Sequence, residues 1–361
     1  MENSRTFMKR AFELAELGLF TTTPNPRVGC VLVRNGKIIG EGYTQPAGGH
    51  HAEIRALLDA RNKKNETRGA TAYVTLEPCS HQGRTPPCVD ALIEAGISKV
   101  VATMEDPNPL VSGKGFARLR EAGIEVASGT FEKEARELNL GFFSRMERGR
   151  PWVRAKVASS ADGVTSLMNG ESKWITSQAA REDGHYWRAR ACAIMTGIRT
   201  VRSDDPQMNV RAVTTMRQPK RIVLDSRLRI GTKSKILGSD TIVFSCEGSE
   251  RKIEELKEMG CEVVMVPETD SRVDLNAVMK ILNEREINEL HVEAGPTLNA
   301  ALMRTGLIDE IVMYLAPCVL GRGRGAFDIP ALHSLQDKFA FCFNDVKMIG
   351  DDVRLIMRRV V

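Results

Sequence analysis

The sequence predicts two consecutive α/β domains. Short apolar strands alternate with amphipathic helices along most of the 361 residues, an order typical of a sheet flanked by helices. The alternation pauses at a charged helix that ends in Gly149-Arg150-Pro151, and it starts again at Trp152. A hydrophobic content of 42% is enough for two cores. We therefore expect an N-terminal domain over residues 1–149 and a C-terminal domain over residues 150–361.

The N-terminal domain is expected to open with a helix over residues 4–19, whose apolar side chains recur at helical spacing. Strands over 28–33 and 37–39 follow, joined by Asn35-Gly36, a dipeptide typical of tight hairpins. The remaining elements are expected as a helix from 51, a strand over 71–76, a helix from 86, a strand over 99–104, a helix over 116–122, a strand over 124–127 and a helix over 131–148.

The C-terminal domain is predicted from the same alternation, as a second α/β sheet with an antiparallel end. Strands are expected over residues 152–158, 191–196, 221–224, 241–245, 262–266, 287–292, 308–315 and 352–358. Helices are expected over residues 177–190, 249–259, 274–285 and 296–305.

Metal-binding side chains are concentrated between residues 50 and 88. His51, Cys79 and Cys88 can supply three protein ligands to Zn²⁺ and leave the fourth position for water. Glu53 lies two residues from His51 at the start of a helix, so it points to another side, but its longer side chain can reach that water. This combination predicts a zinc deaminase site with Glu53 as an unligated proton carrier.

A structural zinc site, or a pair of buried thiols, is the alternative. Closed structural sites carry four protein ligands, and His50 or His81 could provide the fourth. The alternative gives Glu53 no role, so the catalytic interpretation is favoured.

Composition limits the class of protein. A net charge of +5, from 51 basic and 46 acidic residues, is too small to indicate nucleic-acid binding and suits phosphorylated small molecules equally well. The N-terminus lacks an apolar signal core, and no run approaches the ~20 apolar residues of a membrane span. Six of the eight cysteines lie outside the zinc motif, mostly in apolar runs typical of reduced core thiols. We expect a cytoplasmic protein without a membrane or nucleic-acid partner.

The C-terminal half shows no Gly-x-Gly-x-x-Gly after a strand. Glu293 ends a predicted strand, and Gly295-Pro296-Thr297-Leu298 opens a helix whose free N–H groups would suit a phosphate or pyrophosphate. An ordinary strand-to-helix turn explains the same pattern, and the alternative stays open. The glycine-rich basic stretch over 321–325 could hold a phosphate, but a solvated turn is the favoured interpretation.

Several motifs together indicate a family. The chain resembles the bifunctional riboflavin-biosynthesis enzymes, in which a pyrimidine deaminase is fused to a pyrimidine reductase. The resemblance rests on residues 24–29, 51–53, 75–88 and 106–109 in the first half, and on 159–163, 170–176, 200–211 and 292–301 in the second. The nine-residue step from Cys79 to Cys88 departs from the short Pro-Cys-x-x-Cys of other deaminases and looks like the longer loop of this family.

The resemblance implies a cytidine-deaminase-like three-layer domain followed by a dihydrofolate-reductase-like α/β domain. It also implies two steps on phosphorylated pyrimidines: zinc-dependent deamination of 2,5-diamino-6-ribosylamino-4(3H)-pyrimidinone 5′-phosphate, then NADPH-dependent reduction of the ribosyl chain of 5-amino-6-(5-phosphoribosylamino)uracil to ribityl. A homo-oligomer, dimeric or tetrameric, is expected.

The resemblance further implies site residues in the second half. NADP contacts are expected from Ala158, Trp174, Thr200, Asp204, Ser226, Gly295, Pro296, Thr297 and Leu298. Substrate contacts are expected from Ser172, Arg188, Met208, Arg211 and Glu293. Each has a structural alternative: the arginines as surface salt bridges, Trp174 as core, and Glu293 as a helix N-cap partner. An inward orientation is plausible for Lys156 on its predicted strand, and a catalytic role for it is disfavoured.

Three polar residues on loops near strand ends are added for the deaminase pocket: Asn25, Asp106 and Asn108. Their bidentate groups suit the edge of a pyrimidine. Asn-Pro and Asp-Pro are also turn signals, so a turn-forming role is equally consistent.

Two other functions compete with the two-step enzyme. One is an RNA-base or nucleoside deaminase with a C-terminal nucleic-acid-binding module, which should show a basic stripe with interleaved aromatic residues. Residues 152–361 have few aromatics and mixed charges, which disfavours it. The other is a non-catalytic zinc scaffold.

Overall fold

The structure, a computed structural model, describes residues 2–360. It divides into two compact units, Met1–Gly149 and Arg150–Val361, named here the N-terminal unit and the C-terminal unit. Each unit has its own sheet and its own hydrophobic clusters.

The N-terminal unit follows the predicted order of elements. In chain order they are α1 (Glu2–Glu16), β1 (Gly29–Arg34), β2 (Lys37–Tyr43), α2 (Ala52–Asn62), β3 (Thr71–Val74), α3 (Cys88–Glu94), β4 (Lys99–Ala102), α4 (Lys114–Glu121), β5 (Glu125–Ala127), α5 (Glu132–Leu138) and α6 (Leu140–Arg148). The sheet order is β2-β1-β3-β4-β5, with β1 antiparallel to β2 and β3, and β3, β4 and β5 parallel. The predicted hairpin is confirmed, and Asn35 and Gly36 both have positive φ, as a type I′ turn requires.

Helices cover both faces of this sheet. On one face α2 buries Ala52, Ala56 and Ala60, while on the other α1 buries Met8 and Ala11. A Cβ added to Gly42 on β2 would lie 2.4 Å from the carbonyl oxygen of Ala52. The glycine therefore lets α2 begin directly against the sheet, which fixes the position of the helix start that carries the predicted zinc motif.

The single helix predicted over residues 131–148 is wrong, because the helix is interrupted at Asn139. The Asn139 side chain accepts a hydrogen bond from the backbone N–H of Arg27 (2.7 Å) and donates one to the Arg27 carbonyl (3.0 Å). This residue has φ −119° and is almost fully buried. Its amide satisfies a distant backbone segment, so tertiary hydrogen bonding outweighs the helical periodicity of the sequence.

The C-terminal unit is larger. Its elements are β6 (Trp152–Ser160), β7 (Val164–Leu167), α7 (Gln178–Arg190), β8 (Ala193–Gly197), α8 (Ile198–Asp204), β9 (Lys220–Leu224), β10 (Thr241–Ser245), α9 (Glu250–Glu258), β11 (Glu262–Met265), β12 (Glu268–Thr269), β13 (Arg272–Val273), α10 (Leu275–Glu284), β14 (Glu289–Val292), α11 (Pro296–Arg304), β15 (Glu310–Ala316), β16 (Gly323–Gly325), β17 (Phe341–Ile349) and β18 (Asp352–Arg359), with a 3₁₀ turn at Leu335–Asp337.

Nine of these strands form one sheet in the order β11-β10-β9-β8-β14-β6-β15-β18-β17. The strands from β11 to β15 are parallel, whereas β18 is antiparallel to both β15 and β17. The predicted antiparallel end is thus confirmed. The carboxyl ends of β6, β8, β9 and β14 lie side by side, which is where α/β sheets place ligand sites.

Several elements of this unit were missed. Strand β17 alternates irregularly, with Asn344, Asp345 and Lys347 within an apolar run, because it lies at the sheet edge and carries a register shift between Phe343 and Asp345. The short helix α8 and the ribbon of β7 with β16 were also not predicted. The ribbon corrects the interpretation of residues 321–325 as a solvated turn, since part of that stretch pairs with β7.

Candidate active sites

The predicted zinc ligands come together at one end of the N-terminal sheet. His51 is the N-cap of α2, Cys79 follows β3, and Cys88 is the first residue of α3. The His51 Nδ1 atom lies 3.5 Å from the Cys79 sulfur and 3.4 Å from the Cys88 sulfur. All three ligand atoms lie within 4.8 Å of one another, a donor set of one imidazole and two thiols that fits zinc. The His51 side chain makes no capping hydrogen bond to the helix, which leaves it available to the cluster.

The sulfurs are electrostatically unequal. A hydrogen bond from Cys88, together with hydrogen bonds from His51 and the Cys88 backbone, lowers the pKa of Cys79 despite burial. The pKa of Cys88 is raised, first because its thiol donates to Cys79 and then because it is buried. The pair thus readily provides one thiolate, the form that binds metal.

Glu53 faces this cluster from the first turn of α2. It is 3% exposed and hydrogen bonds with Cys88. Burial, and then the negative charge of Cys79, raise the pKa of Glu53 to about 7. A carboxyl group that titrates near neutral pH can both accept and release a proton during a reaction.

The alternative of a closed structural site finds no support in residues 2–360. The metal-ligand cluster there consists of His51, Cys79 and Cys88, and neither His50 nor His81 belongs to it. Three ligands with a buried carboxyl group beside them is the pattern of a catalytic site.

Of the loop residues proposed for the deaminase pocket, Asp106 interacts electrostatically with the cluster. Asp106 is buried, and its pKa is raised to about 7 by burial and by the nearby charges of Glu77, Cys79 and Glu53. Asn108 donates its backbone N–H to the Asp106 carboxylate at 2.8 Å. Asn25 is half-buried in the loop before β1. Asp106 is therefore within electrostatic reach of the metal ligands.

One cleft gathers every residue predicted for the C-terminal site. The lining includes Ala158, Ser172, Trp174, Arg188, Thr200, Asp204, Met208, Arg211, Ser226, Glu293, Gly295, Pro296, Thr297 and Leu298. It lies at the carboxyl ends of β6, β8, β9 and β14 and has a volume of about 2650 Å³. The ribbon residues Gly323, Arg324 and Gly325 also line it.

Arg188 and Glu293 form a two-pronged ion pair in this cleft. Arg188 Nε lies 2.5 Å from Glu293 Oε1, and Nη2 lies 2.8 Å from Oε2. Their side chains are only 15% and 16% exposed, so the alternative of a surface salt bridge is wrong for Arg188. Burial alone would raise the pKa of Glu293, but the Arg188 charge outweighs it and holds that pKa well below the usual value. The N-cap alternative for Glu293 is also wrong, because Gly295 caps α11 without any side-chain bond.

Trp174 is not a core residue. It is 69% exposed, and the Arg181 guanidinium lies 4.5 Å from its ring centroid. Lys156 lines the same cleft, where burial lowers its pKa, and its Nζ lies 5.7 Å from the ring centroid of Tyr314. The cleft therefore combines a flat aromatic surface with a buried amine.

Sequence reasoning missed three residues that support these sites. Glu77 binds the loop that carries Asp106, and Asn139 binds the loop that carries Asn25. His185 accepts a hydrogen bond from the backbone N–H of Arg211 at 3.3 Å. Only His185 had a usable signal, because it lies three residues before Arg188 on a predicted helix and so shares its face.

Comparison with known proteins shows to which family the chain belongs. Residues 1–104 match the cytidine and deoxycytidylate deaminase zinc-binding region, and residues 151–355 match the RibD C-terminal domain. The riboflavin biosynthesis protein RibD of Escherichia coli strain K12 is 45% identical, and the alignment covers 97% of both chains. The chain belongs to the RibD family.

Other relatives span the same full length. RibD of Aquifex aeolicus is 42% identical over 99% of both chains. The structure of Acinetobacter baumannii RibD, form 1, superposes with a TM-score of 0.92 at 42% identity and covers 100% of this chain and 99% of its own. The crystal structure of a diaminohydroxyphosphoribosylaminopyrimidine deaminase/5-amino-6-(5-phosphoribosylamino)uracil reductase from Thermotoga maritima has a TM-score of 0.87 at 34% identity, covering 99% of each.

Membership of the RibD family confirms the predicted fold class, a cytidine-deaminase-like domain followed by a dihydrofolate-reductase-like domain. It confirms equally the predicted bifunctional enzyme, a deaminase and reductase of riboflavin biosynthesis. The alternative of an RNA-base deaminase with a nucleic-acid module is wrong, because the second half is a RibD domain. Within residues 2–360, the helices are too short or too polar to span a bilayer.

Proposed function

We propose that this chain carries out two consecutive steps on one pyrimidine nucleotide. The N-terminal unit removes an amine from 2,5-diamino-6-ribosylamino-4(3H)-pyrimidinone 5′-phosphate by hydrolysis. The C-terminal unit then uses NADPH to reduce the ribosyl chain of 5-amino-6-(5-phosphoribosylamino)uracil to ribityl. The observation that carries the proposal is a His51, Cys79 and Cys88 cluster with Glu53 beside it, in the same chain as the RibD cleft.

In the deamination step, His51, Cys79 and Cys88 would hold zinc, which would supply the acidity that makes water a nucleophile near neutral pH. Glu53 takes the proton from the attacking water and delivers it to the departing amine, a role that its pKa of about 7 supports.

Asn25, Asp106 and Asn108 orient the pyrimidine ring for that attack. Asp106 is the best supported of the three, because it is buried within electrostatic reach of Cys79 and Glu53, and burial raises its pKa. In its protonated form it donates to a ring acceptor, and in its ionised form it accepts from a ring amine.

In the reduction step, the first turn of α11 would hold the pyrophosphate of NADPH, which would supply the hydride. The backbone N–H groups of Thr297 and Leu298 lie in the first turn of the helix, where no intrahelical acceptor is available. Exposed Trp174 offers its ring as an apolar surface. The remaining cofactor contacts come from Ala158, Thr200, Asp204, Ser226, Gly295 and Pro296.

The reductase substrate is held by Arg188, Glu293 and their neighbours. Arg188 uses three N–H groups on Glu293 and on the Asn209 carbonyl, which leaves two of its five donors for the substrate among the contacts described here. Glu293, kept ionised, accepts from sugar hydroxyls. Arg211 pairs with the 5′-phosphate, and Ser172 and Met208 complete the pocket.

A second copy of this chain is the proposed protein partner, in a cytoplasmic homo-oligomer of two or four chains. Support comes from β17 at the edge of the nine-stranded sheet, where Phe343, Val346 and Met348 are about 60% exposed or more. Light scattering of the purified protein reads the assembly directly, and a monomer at micromolar concentration would refute this part.

The two steps are tested together in one solution. The purified protein is incubated with the diaminopyrimidinone nucleotide and NADPH while ammonia release and loss of NADPH absorbance are followed. We expect ammonia to appear first and NADPH oxidation to follow in equal amount. Ammonia without NADPH oxidation would remove the reductase step, and neither signal would remove both.

A further inference from the structure

Glu77 is a buried carboxylate that the mechanism above does not use. It follows β3 and lies two residues before the zinc ligand Cys79. Its exposure is only 3%, and the described ion pairs include no cation for it. Its buried side-chain oxygens therefore need hydrogen-bond donors.

Three backbone N–H groups are the donors. Glu77 Oε2 accepts from Asp106 at 3.0 Å and from Gly113 at 2.9 Å, and Oε1 accepts from Phe116 at 3.1 Å. Phe116 is the third residue of α4, so its N–H has no acceptor within the helix. All three donors belong to one stretch of chain, which runs from the end of β4 through the first turn of α4 and carries Asp106 and Asn108.

The same segment packs directly on the backbone beside Glu77. A Cβ added to Gly115 would lie 2.2 Å from the Pro78 carbonyl oxygen and 3.0 Å from Glu77 Oε1. The Glu77 backbone N–H also donates to the Met104 carbonyl at 3.1 Å. Bonds therefore run in both directions between the stretch that carries Cys79 and the loop that carries Asp106.

We propose that Glu77 is a positioning residue for deamination, which fixes Asp106 and Asn108 relative to the zinc ligands. The inference rests on the proposed function, because it assigns the loop to substrate binding. A carboxylate suits this role because both of its oxygens only accept hydrogen bonds. An amide in its place would turn an NH₂ donor toward a backbone N–H and leave that N–H unsatisfied.

Glu77→Gln is the test, read by steady-state deamination kinetics. We expect kcat/KM to fall about tenfold or more, chiefly through a higher KM, because the substrate loop is misplaced while the proton carrier is intact. Zinc content should stay at the wild-type value, and reduction of separately supplied deaminated substrate should be unchanged. The matched control is Glu121→Gln at the exposed far end of α4, which should behave as wild type.

A double-variant cycle with Asp106→Asn distinguishes positioning from general loosening. If Glu77 acts through the loop that carries Asp106 and Asn108, the double variant loses less activity than the product of the two single losses. Effects that multiply would overturn the proposal, as would a Glu77→Gln value of kcat/KM within twofold of wild type.

Amide hydrogen exchange keeps the inference testable apart from turnover. Asp106, Gly113 and Phe116 should exchange faster in Glu77→Gln, and unchanged protection at all three would overturn the proposal. If the wild-type protein releases no ammonia, the proposed function is wrong. The exchange measurement still tests whether Glu77 holds the loop. If Glu77→Gln loses zinc, Glu77→Asp is measured; zinc loss there too would assign Glu77 to the metal site and overturn the positioning role.

Discussion

The two sites of this RibD protein balance buried charge in opposite ways. In the N-terminal unit, burial raises the pKa of Glu53 and of Asp106 to about 7, and no described arginine or lysine pairs with either. In the C-terminal unit, Arg188 pairs with Glu293 and keeps it ionised. A buried acid without a basic partner is suited to proton transfer, whereas a paired acid is suited to holding a fixed charge for a ligand.

The sites also differ in how the chain builds them. The proposed zinc ligands lie between residues 51 and 88, with His51 and Cys88 at helix starts and Cys79 after a strand of one small sheet. The cleft residues extend from Ala158 to Leu298 and meet only because parallel strands end at the same edge. A short motif can therefore reveal the first site, while the second emerges only from the assembled sheet.

Among the variants that test this comparison of the two sites, Glu53→Gln should have the largest effect on activity. Removal of the proposed proton carrier should lower kcat for deamination about 10³-fold or more, with zinc content unchanged. Reduction of supplied 5-amino-6-(5-phosphoribosylamino)uracil should continue at the wild-type rate. Ammonia release and metal analysis on the same preparation check this, and retained deamination would contradict it.

Glu293→Gln should have the next largest effect, and only on reduction. It leaves the buried Arg188 charge unpaired, so we expect kcat/KM for reduction to fall about 100-fold. The rate of NADPH oxidation measures this fall in kcat/KM. Glu262→Gln is the matched control, because Glu262 and Arg285 form a similar two-pronged pair that is far more exposed and contributes little. Equal losses in the two variants would show that the burial of the Arg188 pair is irrelevant.

Asn139→Ala should destabilise the N-terminal unit by about 2 kcal/mol, because it removes two buried hydrogen bonds to Arg27. Urea unfolding measures this change. The exposed Asn62, at the end of α2, provides the control, and its alanine variant should unfold as wild type does. An Asn139→Ala protein as stable as wild type would mean that the helix interruption has another cause.

The smallest effect is expected for the pH dependence of the C-terminal unit. Burial, and the charges of Arg188 and Arg211, lower the pKa of His185 from 6.5 to about 4. Between these pH values the unfolded chain binds more protons there than the folded chain, so the free energy of unfolding falls as pH drops from 6.5 to 4.

His185→Gln keeps a neutral acceptor and should flatten this dependence. Glu182 and Glu293, which also face His185, still titrate in the variant, so part of the dependence remains. Urea unfolding between pH 7 and pH 4 gives the comparison. Exposed His333→Gln is the control, and an identical slope in both variants would contradict the assignment.

The sequence was informative where function depends on local spacing. Four site residues could be predicted because each lies at a helix start or just after a strand: His51, Glu53, Cys79 and Cys88. Most elements could be predicted from periodicity for the same reason. The interruption at Asn139 could not, because its cause is a bond to Arg27, 112 residues away.

The burial of individual side chains was the other feature that the sequence could not predict. Exposed Trp174 and the buried Arg188 were each open to the opposite interpretation, since residue type alone does not fix burial. Strand β17 was missed because an edge strand need not alternate. Glu77 carried no visible pattern, since its three partners are backbone groups that any residue provides.

The most direct test of two independent and consecutive sites mixes two inactive variants. Glu53→Gln alone should release no ammonia from the diaminopyrimidinone nucleotide, and Glu293→Gln alone should release ammonia but barely oxidise NADPH. Mixed together, they should form the ribityl product with one NADPH consumed for each ammonia released. A mixture that releases ammonia but leaves NADPH unoxidised would contradict the account.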